Sequence, residues 1–201
     1  VSTLFPERRS EPRDSIPPRD LNRAELEARL IKLRADVTEA EVYLYQPTSE
    51  ELVASWEARH GVRLPEAYRR FLLEIGSGGE GPPYFGLWSL DDDDHSAEVF
   101  RGSFLERELR NPFPFTSAWR WSDEDEEANQ RACPELRGRV RGRDLGNLTL
   151  GTDGGTAFWH LIVSGRARGQ VWRSEALEVL EPHAPDFLTW YQEWLNETAG
   201  F

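Results

Sequence analysis

Apolar residues recur at helical spacing in five stretches of the chain. Asn22 to Asp36 places Leu26, Leu30 and Leu33 on one stripe behind a capping residue, and predicts a helix. Thr48 followed by Glu51 reads as a capping box. Leu52, Val53 and Trp56 would then share a face, and Gly61 would close the helix in a left-handed conformation. Pro65 opens a further helix with Tyr68, Phe71, Leu72 and Ile75 inward and Arg69, Arg70 and Glu74 toward water, ended by Gly76. Ala97 to Leu109 fits a weaker helix with Val99, Phe104, Leu105 and Leu109 inward, interrupted by Gly102. Pro185 starts a final helix whose stripe is Phe187, Trp190, Tyr191 and Trp194.

Between these lie shorter segments with strand character. Val42 to Tyr45 is β-prone and stops at Pro47; Tyr84 to Leu90 reads as a strand after the glycine-rich turn Gly76 to Pro83. Asn111 to Phe115 must be extended because two prolines block a helix. Leu145 to Leu150, Ala157 to Val163 and Gln170 to Arg173 follow as strands. Asp153-Gly154-Gly155 supplies a tight turn after the first, and Gly165 and Gly169 bracket the turn before the third. Strands joined by short turns imply an antiparallel sheet, so the expected class is α+β, a central mostly antiparallel sheet flanked by helices.

Length and charge narrow the reading. The 201 residues suit one domain with a sizeable core, expected over residues 21–201, after an arm of Pro, Arg, Glu and Ser over residues 1–20 expected to be flexible. The net charge of −12 opposes binding to nucleic acid or an anionic membrane and favours a basic partner. Cys133 is a lone cysteine, so no disulfide framework is expected. Nothing reads as a signal peptide or a transmembrane run, which predicts a cytoplasmic protein.

The candidate chemistry is sparse. Gly76, Gly78 and Gly81 spell G-x-G-x-x-G, but they follow a helix and run into Pro82-Pro83, the reverse of a dinucleotide site. A tight turn with close backbone approach, or a ledge for a partner's chain, fits better. Asp91-Asp92-Asp93-Asp94 fails as a calcium loop, since Ser96 and Gly102 stand where Gly and Glu are needed. That run and Asp123-Glu124-Asp125-Glu126-Glu127 are either solvated loops or patches that face a basic groove. Trp119 and Trp121 beside the second run are either anchors or core. Arg137, Arg139, Arg141 and Arg143 alternate as a counter-ion face for the acidic runs rather than a nucleic-acid stripe. His60, His95, His160 and His183 are scattered, with no metal spacing, and Cys133 has no activating neighbour. No catalytic residue, metal ligand or cofactor is expected.

The run Leu64-Pro65-Glu66-Ala67-Tyr68-Arg69-Arg70-Phe71-Leu72-Leu73-Glu74-Ile75-Gly76 with the following Gly78, Gly79 and Gly81 carries a resemblance. So do Gly146 to Gly155 with Trp159 to Val163, the Gly169-Gln170-Val171-Trp172 signature, and the closing Phe187 to Leu195. Together, over about residues 47–198, the chain resembles the SUKH superfamily, bacterial immunity proteins related to the fungal Smi/Knr cell-wall regulators. The resemblance implies a protein that neutralises a toxin, often a nuclease or deaminase, by stoichiometric occlusion; a regulatory scaffold of the Smi/Knr type is the alternative. The segment from Asp91 to Arg143 matches poorly. Charge and placement, rather than the resemblance, select Tyr84, Trp88, Asp91, Asp92, Asp93, Asp94, Asp123, Glu124 and Asp125 as contacts for a basic toxin domain.

Overall fold

The computed structural model describes residues 15–19, 21–83, 85–90, 108–120, 145–175 and 179–199. Helices α1 (Arg23–Glu39), α2 (Glu50–His60) and α3 (Glu66–Glu74) come first. They are followed by β1 (Trp119–Arg120), β2 (Asn147–Thr152), β3 (Ala157–Ile162), β4 (Val171–Glu175), β5 (Val179–Ala184) and helix α4 (Phe187–Ala199). The strands form one antiparallel sheet in the order β1-β5-β4-β3-β2, so the fold is a single α+β domain as the sequence predicts.

Alternation along the strands divides the core in two. Leu161 and Val171 face the helices, with Leu150 and Ala184. Their chain neighbours Ile162 and Trp172 face the other way and pack with Phe113, Ala167 and Leu180, against which Phe115 and Trp119 lie. Trp119 therefore contributes to packing; Trp121 is outside the described residues. Helix α4 crosses the first face, packing on α1, α3 and β5. Phe187, Trp190, Tyr191 and Leu195 are buried there, and Trp194 is half-buried. Asp186 caps α4, accepting from the Thr189 N–H at 2.9 Å, and is held by Arg29 of α1 at 3.0 Å.

Several local expectations shift. Asn22 does cap α1, accepting from the Glu25 N–H at 3.0 Å. Helix α2 is capped by Ser49, not Thr48, with its hydroxyl accepting from Leu52 N–H. The cap therefore moves one residue, and Leu52 is exposed while Val53 and Trp56 are buried. Gly61 closes α2 in the left-handed region, as expected, at φ 63°. Pro65 sits at the cap of α3 and not inside its first turn. Arg69 and Arg70 do not stand in water. Arg69 pairs with Glu50 and Glu57, and Arg70 pairs with Glu74 and with Glu27 of α1. A helix period cannot report carboxylates supplied by other helices.

Strand β5 was not expected, because Glu181, Pro182 and His183 mask a strict alternation of buried and half-buried positions. Conversely, Val42 to Tyr45 and the described part of Tyr84 to Leu90 are not strands; each makes one isolated bridge to Gly79. The helix expected over Ala97 to Leu109 falls outside the described residues except at its last two positions. Ile16 O accepts from the Gln170 amide, and Arg19 N–H donates to Pro185 O at 3.3 Å, so residues 15–19 lie along the domain.

Candidate functional site

The glycine-rich turn is the feature around which the candidate site is built. Tyr45 N–H donates to Gly78 O at 2.9 Å and Glu80 N–H to Tyr43 O at 2.8 Å. On the other side, Gly79 and Leu87 exchange two hydrogen bonds of 3.0 and 2.8 Å. Trp88 N–H then donates to Leu150 O at 2.8 Å on the edge of β2. The ladder of the sheet is thus carried past β2 through Leu87 and Gly79 to Val42 to Gln46. Gly79 must be glycine: its φ is 114°, and a Cβ there would lie 2.7 Å from Tyr43 O. The ledge that the turn offers is occupied by the protein's own chain.

That arrangement turns aromatic rings outward. Leu44 packs against the core, so its neighbours Tyr43 and Tyr45 point away, 66% and 45% exposed, with ring centroids 6.1 Å apart. Phe85, 63% exposed, lies against Gly154 in the turn after β2. The ledge is braced from inside: the Tyr191 hydroxyl donates to Glu80 O at 2.6 Å, and Gly81 lets the Tyr191 ring approach. Burial, and then the Glu80 charge, push the Tyr191 hydroxyl pKa well up, which keeps it a donor. From Ala35 to Trp56 the chain carries five carboxylates (Asp36, Glu39, Glu41, Glu50 and Glu51) and no Lys or Arg. Glu50 and Glu51 are held below the usual carboxylate range, Glu50 chiefly by Arg69 and Glu51 by its own backbone N–H and Ser49.

Of the residues selected from sequence, Trp88 is described: it is half-buried and ties the ledge to β2. Tyr84, Asp91, Asp92, Asp93, Asp94, Asp123, Glu124 and Asp125 lie outside the described residues, as do Arg137 to Arg143, Cys133 and His95. The exposed Tyr43, Tyr45 and Phe85 were missed. The Tyr-x-Tyr alternation ending at Pro47 was the available signal.

The described histidines sit in ring contacts or hydrogen bonds of the fold. His160 is buried on the sheet, with Nδ1 3.2 Å from the Thr149 hydroxyl and Nε2 2.8 Å from the Ser174 hydroxyl. A serine–histidine pair of the nucleophilic kind has a carboxylate behind the ring to orient it; the group at Nδ1 here is a hydroxyl. His60 stacks on Trp56, and burial and Arg59 lower its pKa. Among the described residues no group of three His, Cys, Asp or Glu side chains could hold a metal ion, and no helix is long and apolar enough to cross a membrane.

Comparison with known families gives a match to the SMI1 / KNR4 family (SUKH-1) over residues 47–193. No curated protein matches. The matched span includes the ledge, the whole sheet and most of α4, and the chain belongs to this family.

Proposed function

We propose that this SUKH-family chain is an immunity-type binding protein that neutralises a cognate bacterial toxin by stoichiometric occlusion, without turnover of its own. A toxin that acts on nucleic acid fits best, because its phosphate-binding groove is basic and the chain carries a net charge of −12. The observation that carries the reading is the solvent-facing set Tyr43, Tyr45 and Phe85 on the ladder around the glycine turn, beside an acidic stretch. Aromatic rings are prominent among the side chains that anchor protein interfaces. Asp91 to Asp94 follow this surface directly in sequence after Leu90, and together with Asp123, Glu124 and Asp125 we assign them to the same contact. A standard interface of about 1,600 Å² in total would cover such an area. Binding inside the producing cell requires the cytoplasm.

The test is co-expression with any toxin domain that the neighbouring genes encode. A 1:1 complex, and toxin activity that falls linearly to zero at one equivalent, is the expected result. Toxin activity that persists with the chain in excess would refute the proposal. The family is named for the fungal regulators, so a scaffold for a cellular partner is the second reading; a gene neighbourhood without a toxin would favour it.

A further inference from the structure

Main-chain groups along Val42 to Gln46 point two ways. Tyr43 and Tyr45 direct theirs inward: Tyr43 O and Tyr45 O accept from Glu80 and Ser77, Tyr45 N–H donates to Gly78 O, and Tyr43 N–H donates to the Glu80 carboxylate at 2.8 Å. Leu44 must therefore turn its N–H and C=O to the opposite side, and among the described residues no hydrogen bond reaches either group. The same holds for Gln46 N–H and Val42 O. Tyr43, Tyr45, Gln46 and Pro47 are all exposed. Among the described residues the extended ladder thus ends in an unpaired edge, with outward rings on one face and a core-packed leucine on the other. Such an edge is a template for another strand.

We propose that the Val42 to Gln46 edge takes up an extended basic segment of the toxin as an added strand, paired through the Leu44 main chain and flanked by the rings of Tyr43 and Tyr45. This rests on the binding reading above and names how the partner is held. The occupant's chemistry follows from the surroundings. Glu39 and Glu41 are exposed just before the edge, and the stretch from Ala35 to Trp56 has no cation. Lys or Arg side chains on the incoming strand would lie over the two tyrosine faces and near these carboxylates. The residues between them would point to the Leu44 side and would be apolar. A second copy of this chain would bring the same carboxylates against each other, which disfavours self-pairing.

Amide hydrogen exchange on the full chain tests this, with a capped heptapeptide alternating Arg and Val as the probe. At saturating peptide, exchange at Leu44 and Gln46 is expected to slow about tenfold. The same peptide N-methylated at alternate amides, and a peptide alternating Glu and Val, should leave both unchanged. Tyr43→Ala with Tyr45→Ala should weaken the Arg–Val peptide about tenfold. Equal binding of the N-methylated peptide, or slowed exchange only at sites away from the edge, would overturn the proposal. So would peptide-free protection of Leu44 that grows with protein concentration, which would give the edge to a second copy. A toxin complex that forms with Leu44 exchange unaltered would reject edge pairing and keep the immunity reading. Failure of any toxin complex would reject that reading while the peptide result stood on its own.

Discussion

Tyr191 and Tyr43 are the same residue in two settings. Tyr191 is fully enclosed between Phe71, Phe187 and Trp194, while Tyr43 is 66% exposed, with the Tyr45 ring beside it. The first belongs to an aromatic stack that joins α3 to α4: Phe187 meets Tyr68 and Phe71 edge-on at 4.8 and 5.0 Å. The second belongs to a surface whose rings stand largely exposed. The difference separates two uses of one chemistry. Rings inside are held by area removed from water and by edge-to-face contacts, so they carry stability. Rings outside leave that gain to be made on binding. The Tyr191 hydroxyl joins the two regions, because its acceptor is the carbonyl of Glu80, whose carboxylate in turn holds Tyr43 N–H.

The strongest way to break the contrast is from the inside. Phe187→Ala empties the centre of the stack and should cost about 3–5 kcal/mol of unfolding free energy, read from denaturant titration. Asp186→Ala removes both the cap of α4 and the counter-ion of Arg29. A loss of about 3 kcal/mol is expected, and a loss below about 1 kcal/mol would show the pair to be dispensable. From the outside the pattern should invert. Tyr43→Ala with Tyr45→Ala should change stability by less than about 0.5 kcal/mol but weaken toxin binding by about 2 kcal/mol, measured by calorimetry. Tyr191→Phe sharpens the link between regions: the ring stays, the bond to Glu80 O goes, and stability should fall by about 1 kcal/mol with faster amide exchange at Glu80 and Tyr43. The smallest effect on equilibrium comes from Asp91 to Asp94 changed together to Asn. Association with the toxin should slow and lose salt dependence while the melting temperature holds; unaltered association kinetics would remove that run from the interface.

Much of the frame was legible. The stripes of α1, α3 and α4, the left-handed stop at Gly61, the Asp153-Gly154-Gly155 turn and the turn bracketed by Gly165 and Gly169 all follow from residues within a turn of one another. The family-level motifs at Leu64 to Gly81 and Gly169 to Trp172 were equally plain. The candidate surface was less so. A reading of charge put weight on carboxylate runs and on Trp88, which is half-buried and ties the ledge to β2. The rings that stand out were on a short segment that reads as an ordinary strand.

The sequence by itself determined helices α1 to α4, the hairpin turns, the α+β class and the acidic character, because period, backbone preference and charge are local or summed properties. Only the tertiary structure decided which tyrosines are buried, that Arg69 and Arg70 are paired, that β5 is a strand and that, among the described residues, no hydrogen bond reaches the outer side of Leu44. Those outcomes depend on partners far along the chain: Glu80 meets a tyrosine 111 residues away, and Arg29 a carboxylate 157 residues away. No local pattern records whether such a partner arrives to cover a face.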